Sequence, residues 1–157
     1  ADRGIRAVLH PHDGAMVEQR DEVYRVLDGS AIGLCLDTGH LLIGGTDPLD
    51  LVTSHASRIT HAHLKDVDAA LAARVQSGEL TYTEAVASGM YTPLGTGDVD
   101  IERVVLGLLD AGFDGWFVLE QDTILTAEPT DAGPVIDVIA SVAYLREVVK
   151  ARVPSTV

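Results

Sequence analysis

The 157-residue sequence is short of basic residues, of cysteine and of long apolar runs, and each shortage removes a class of function. Only 11 Lys and Arg stand against 24 Asp and Glu, a formal net charge of −13, and no basic cluster reverses that sign locally. Such a surface repels a phosphate backbone, which excludes nucleic acid as a partner. Cys35 is the sole cysteine, so no internal disulfide can form, and its place inside an apolar run marks it as a packing residue. No stretch reaches the roughly 20 apolar residues of a membrane span, and residues 1–8 lack a basic-then-apolar export pattern. The expectation is a cytoplasmic protein with no membrane partner.

What is present is ordinary for one compact domain: 46% hydrophobic and 22% charged residues. Short apolar runs predict strands at 7–9, 32–36, 59–64 and 116–119. Helical patterns follow them at 21–27, 48–55, 101–109 and 135–150. The last is the clearest, with Val135, Ile136, Ile139, Val142, Leu145 and Val149 near helical spacing. Four βα units in series, with apolar strands expected to be buried on both faces, imply a parallel α/β sheet with right-handed crossovers. A long excursion, 67–98, interrupts the third unit and predicts helices at 69–76 and 83–87. Connections of this length are commonly lids, and Tyr82, Tyr91 and the glycine-rich segment 92–97 equip this one to cover a site. Those glycines lack the strand-before, helix-after context of a nucleotide loop.

Each predicted strand ends in residues that strands seldom carry: His10-Pro11-His12, Asp37-Thr38-Gly39-His40, His61-Ala62-His63-Leu64-Lys65-Asp66 and Glu120-Gln121-Asp122. Five of the six histidines lie there; His55 falls on a helix away from any strand end and reads as surface. In a parallel α/β fold the carboxyl ends of the strands open onto one face, so these segments converge. The two-residue period places Asp37 with Cys35, His63 with His61, and Glu120 with Val118 and Trp116. Imidazole and carboxylate donors together suit one divalent ion such as Mn²⁺, Co²⁺, Zn²⁺, Fe²⁺ or Mg²⁺, and the residue types alone do not choose among them.

In these motifs, together with Thr92-Pro93-Leu94-Gly95-Thr96-Gly97-Asp98 and Gly115-Trp116, the sequence resembles the xylose-isomerase-like sugar isomerase and epimerase superfamily, and within it the myo-inosose dehydratases. The resemblance implies a (β/α)₈ TIM barrel of which residues 1–157 form the C-terminal half, its last four βα units. It implies metal ligation by Asp37, His63 and Glu120. His10 is the expected fourth ligand and His12 a substrate contact, or the two exchange roles. His40, Lys65 and Asp122 are expected to face substrate. Glu120, His40 and Lys65 are the candidate catalytic groups, with a solvated rim charge as the plainer reading of Lys65.

The implied chemistry is removal of a proton beside a ketone to give an enediolate, followed by loss of a β-hydroxyl from an inosose. Reprotonation of the same enediolate would make the protein a ketose isomerase or epimerase. A non-catalytic assembly module is the third reading. The related DNA-repair endonuclease branch conflicts with the acidic charge. Open edges on an apolar parallel sheet further predict pairing with a second copy or with an N-terminal half-barrel.

Overall fold

The computed structural model describes residues 3–129 and 131–152. Four parallel strands form the sheet in the order β1 (Val8–Leu9), β2 (Gly33–Asp37), β3 (Ile59–Leu64) and β6 (Phe117–Leu119). The connections are α1 (Arg20–Gly29), the pair α2 (Thr38–Ile43) and α3 (Pro48–His55), and, after β3, an excursion leading to α6 (Ile101–Asp110). Helix α7 (Val135–Arg152) follows β6. This is the expected series of βα units, a partial barrel.

Local chemistry sets the helix starts. Asp47 accepts the Leu49 N–H before Pro48, and Asp100 accepts the Arg103 N–H at the start of α6. In α6, Ile101, Val104, Val105 and Leu108 recur at helical spacing and are buried, so one face packs on the sheet. Leu34 and Leu36 of β2 join Val23 and Leu27 of α1, Leu51 of α3 and Leu108 in one core. A second core lies beneath the excursion, around Leu64, Val67, Met90, Leu94, Ile101, Val105 and Val148. At the opposite end from the site, the Arg58 guanidinium donates to the carbonyls of Leu27, Ser30 and Ile32, tying the α1–β2 turn to the start of β3.

Three features depart from the sequence reading. Burial on both faces holds for the interior of β2 and not for β1 and β6, whose residues are half-buried, nor for β3, where Thr60, His61 and His63 are half-buried although the strand has a sheet neighbour on each side. Trp116, on the face opposite the helices, is 77% exposed. Asp37 starts a separate short helix, α2, by accepting the N–H groups of Gly39 and His40. The excursion contains α4 (Ala69–Gln76) and α5 (Tyr82–Ala87) as expected, and also an antiparallel pair, β4 (Asp66–Val67) with β5 (Tyr91–Thr92). No helix of the described residues is long and apolar enough to cross a membrane.

Candidate metal centre

Register brings the polar strand ends together. Asp37 of β2 lies opposite His63 of β3, and His63 lies opposite Val118 of β6, so Glu120 follows one step beyond on the same face. One ligand atom from each of Asp37, His63 and Glu120 lies within 4.8 Å of the other two.

The two oxygens of Asp37 are used differently. Oδ1 caps α2, at 3.0 Å from the Gly39 nitrogen and 2.9 Å from that of His40. Oδ2 faces the cluster, 3.3 Å from His10 Nε2, 3.5 Å from His63 Nδ1 and 3.5 Å from Lys65 Nζ. Burial alone would raise this carboxyl, but the hydrogen bond with His10, the neighbouring His63 imidazole and the charge of Lys65 outweigh it and hold Asp37 well below the usual carboxylate range. His63 is pushed up, first by Asp37.

His63 Nδ1 also approaches Glu120 Oε1 at 3.0 Å. Neither carboxylate meets it with hydrogen-bond geometry, so the nitrogen is buried without a partner. A buried nitrogen left unpaired costs stability, and one surrounded by carboxylate oxygens has the arrangement of a ligand. The donor set of imidazole and carboxylate fits a divalent ion.

Lys65 is not a rim charge. It is 3% exposed and contacts Glu120 Oε2 at 2.7 Å, Asp122 Oδ2 at 3.2 Å and Asp37 Oδ2. Desolvation opposes its charge, but these three carboxylates outweigh it and keep it an ammonium. Thr38 locks its backbone, accepting the Lys65 N–H at 2.8 Å and donating to the Lys65 carbonyl at 2.6 Å. Lys65 Nζ also lies 3.0 Å from His40 Nε2. An ammonium only donates, so His40 Nε2 accepts and the ring carries its proton on Nδ1. Burial pushes His40 down to about 4, which keeps it neutral.

His10 and His12 separate. His10 reaches Asp37, whereas His12 stacks on the His40 ring at 3.6 Å and its Nδ1 donates to the Asp13 carbonyl. With Tyr82, Gln121 and Asp122, His12 lines a cleft of about 460 Å³ at the mouth of the cluster. The excursion reaches this mouth: Tyr82 Oη donates to Asp122 Oδ2 at 3.2 Å and lies 3.1 Å from Tyr91 Oη. His55 is half-buried, its ring edge against Tyr24, and stands apart.

Sequence reasoning missed Asp66. This fully buried carboxylate accepts four backbone N–H groups, those of Val67 and Val99 on Oδ1 and those of Gly95 and Gly97 on Oδ2. It fixes the glycine segment, and at Gly97 any Cβ would collide with that carboxylate. An Asp beside the strand end with glycines to follow was the available signal.

Comparison with known proteins agrees with this architecture. The chain is 34% identical over 150 residues to the inosose dehydratase of Geobacillus thermodenitrificans, covering 94% of this chain and 49% of that protein. It is 35% identical over 136 residues to the rhizopine catabolism protein MocC of Rhizobium meliloti, covering 85% and 41%. The chain thus spans about half the length of the curated relatives it matches. Among solved structures, a D-tagatose 3-epimerase-like protein superposes with a TM-score of 0.64 at 19% identity, over 96% of this chain and 49% of that one. The IOLI protein, solved with a bound zinc atom, gives 0.64 at 18% identity, over 98% and 52%. The sequence pattern of the xylose isomerase-like TIM barrel matches residues 1–142, and the chain belongs to that family.

Proposed function

We propose that this chain carries the metal-binding side of a lyase that dehydrates an inosose through an enediolate. The observation that carries the reading is the convergence of Asp37 Oδ2 and a Glu120 oxygen on His63 Nδ1, a buried nitrogen without a hydrogen-bond partner, with a buried ammonium beside them. Similarity to inosose dehydratases at 30–34% identity supplies the substrate class.

His10 joins the three as fourth ligand through its contact with Asp37. A divalent ion held there supplies Lewis acidity that polarises a ketone and acidifies the neighbouring C–H. Glu120, 31% exposed where the other two ligands are more enclosed, is the carboxylate placed to accept that proton. Lys65 is held as a cation and stabilises the enediolate oxygen. His40 has its acceptor nitrogen occupied by Lys65, so it positions the ammonium and is not the base. A β-hydroxyl departs with a proton, and His12 and Asp122 line the cleft where its donor has to stand. Tyr82 and the excursion close the mouth against water.

The test is turnover of an inosose by the full chain loaded in turn with Mn²⁺, Co²⁺ and Zn²⁺, followed as growth of ultraviolet absorbance from the unsaturated ketone. Turnover of ketoses with no change in inosose would replace the dehydratase reading with the isomerase or epimerase one. The open edges of β1 and β6 are the surfaces on which a second copy or an N-terminal half-barrel completes the sheet. Sedimentation of a stable monomer at low concentration would remove that partner.

A further inference from the structure

We propose that the centre has a second, thiophilic ion position, formed by His10, Cys35 and His63 directly below the oxygen-rich one. Cys35 precedes Asp37 by two residues on β2, so both side chains leave the strand on the same face. Ligand atoms of His10, Cys35 and His63 lie within 4.8 Å of one another, as do those of Asp37, His63 and Glu120. The two triads share His63. His10 faces both, since its Nε2 lies 3.3 Å from Asp37 Oδ2.

The lower triad differs from the upper in kind. It exchanges two carboxylates for one thiolate and a second imidazole, and two imidazoles with one thiolate form a donor set that soft and borderline ions prefer and that Mg²⁺ and Mn²⁺ do not. Three protein ligands leave a tetrahedral ion one further position. Cys35 is 2% exposed, so an ion reaches its sulfur through the cluster and not from the helix side. One imidazole ring cannot serve both positions equally. A soft ion therefore settles toward Cys35, leaves Asp37 Oδ2 and Glu120 without their ion, and silences the site while remaining bound. Cys35 is then an ion-selectivity element as well as a packing residue. This inference rests on the reading of His10 and His63 as ligands, and its test separates the two.

The metal-free full chain is titrated with Cd²⁺, and the thiolate-to-cadmium charge-transfer band is followed in the ultraviolet. The band is expected to grow to a one-to-one ratio in the unaltered protein and to vanish in Cys35→Ser. Cd²⁺ affinity in that variant should fall by about 100-fold or more, the upper end of what loss of even an outer-shell partner costs. Mn²⁺ affinity, followed by electron paramagnetic resonance, should be unchanged. Glu120→Gln should show the reverse, weakened Mn²⁺ and retained Cd²⁺ band. Cd²⁺ bound one-to-one with no band in the unaltered protein would overturn the proposal while leaving the oxygen-rich centre in place. That spectrum requires no variant, so poor folding of Cys35→Ser does not blunt it. Retention of neither ion would remove both readings.

Discussion

Lys65 Nζ lies 2.7 Å from Glu120 Oε2, and this contact joins the third strand of the sheet to the fourth through an ammonium that is almost fully buried. With Asp37 and Asp122 also against it, the lysine balances the negative charge of the cluster. Its removal leaves those carboxylates facing one another, which strengthens their hold on a divalent cation. Lys65→Met is therefore expected to retain metal and lose turnover, by about 10²- to 10³-fold, the range found when one electrostatic stabiliser of a developing oxyanion is deleted. Metal analysis alongside kcat checks this; parallel loss of metal and turnover would assign Lys65 to folding of the centre.

His63 makes the opposite prediction. It is common to both groups of potential ligands and carries the unpaired nitrogen. His63→Ala is expected to lower metal affinity by more than the roughly 10- to 100-fold that loss of an outer-shell partner costs. His55→Ala, on α3, should leave affinity as it was. Equal metal content in the two purified variants would contradict the assignment.

The pH dependence of the metal-free chain follows from His40. Its folded value of about 4 lies below the ordinary 6.5, so in that interval the unfolded chain takes up a proton that the folded one refuses. Stability from this group is thus complete above 6.5 and lost as pH falls toward 4, on the order of 3 kcal/mol at about 1.4 kcal/mol per unit. His63, raised, works the other way: its contribution is full below 6.5 and fades as pH rises through its folded value. Asp37, depressed, contributes above 3.8 and loses that contribution as pH falls through its folded value. Urea unfolding of the metal-free protein against His40→Gln should show the gap between the two narrowing as pH drops from 6.5 to 4. A constant gap would mean that His40 is not held neutral by burial.

The strand ends were readable because their signal is local. Asp37 and His63 each interrupt an apolar run, and parallel pairing alone sets them opposite one another. The state of Lys65 was not readable. A lysine after a strand looks like a solvated rim charge until Glu120 and Asp122, more than 50 positions along the chain, arrive beside it. Helix α2 is too short for a periodic pattern and exists because Asp37 caps it while Leu41 and Ile43 bury. The β4–β5 pair has two residues a side, below the length at which alternation can register.

Asp66 supplies the sharpest stability test, because all its partners are backbone N–H groups. Val67 and Val99 donate to one oxygen at 2.9 and 3.0 Å, and Gly95 and Gly97 to the other at 2.8 and 3.0 Å. A carboxylate can accept from all four; an amide can accept at its oxygen only and turns an NH₂ toward two donors. Asp66→Asn therefore breaks two charge-assisted bonds and opposes donors to donors in a fully buried site, at a cost of about 3 kcal/mol. The damage should be confined. Residues 94–99 lose protection in amide hydrogen exchange, while the β2–β3 ladder that carries Asp37 and His63 keeps its own. Metal affinity is then retained, and only the chemistry that depends on a closed excursion suffers. Uniform loss of protection across β2 and β3 would show instead that the excursion and the sheet unfold as one unit.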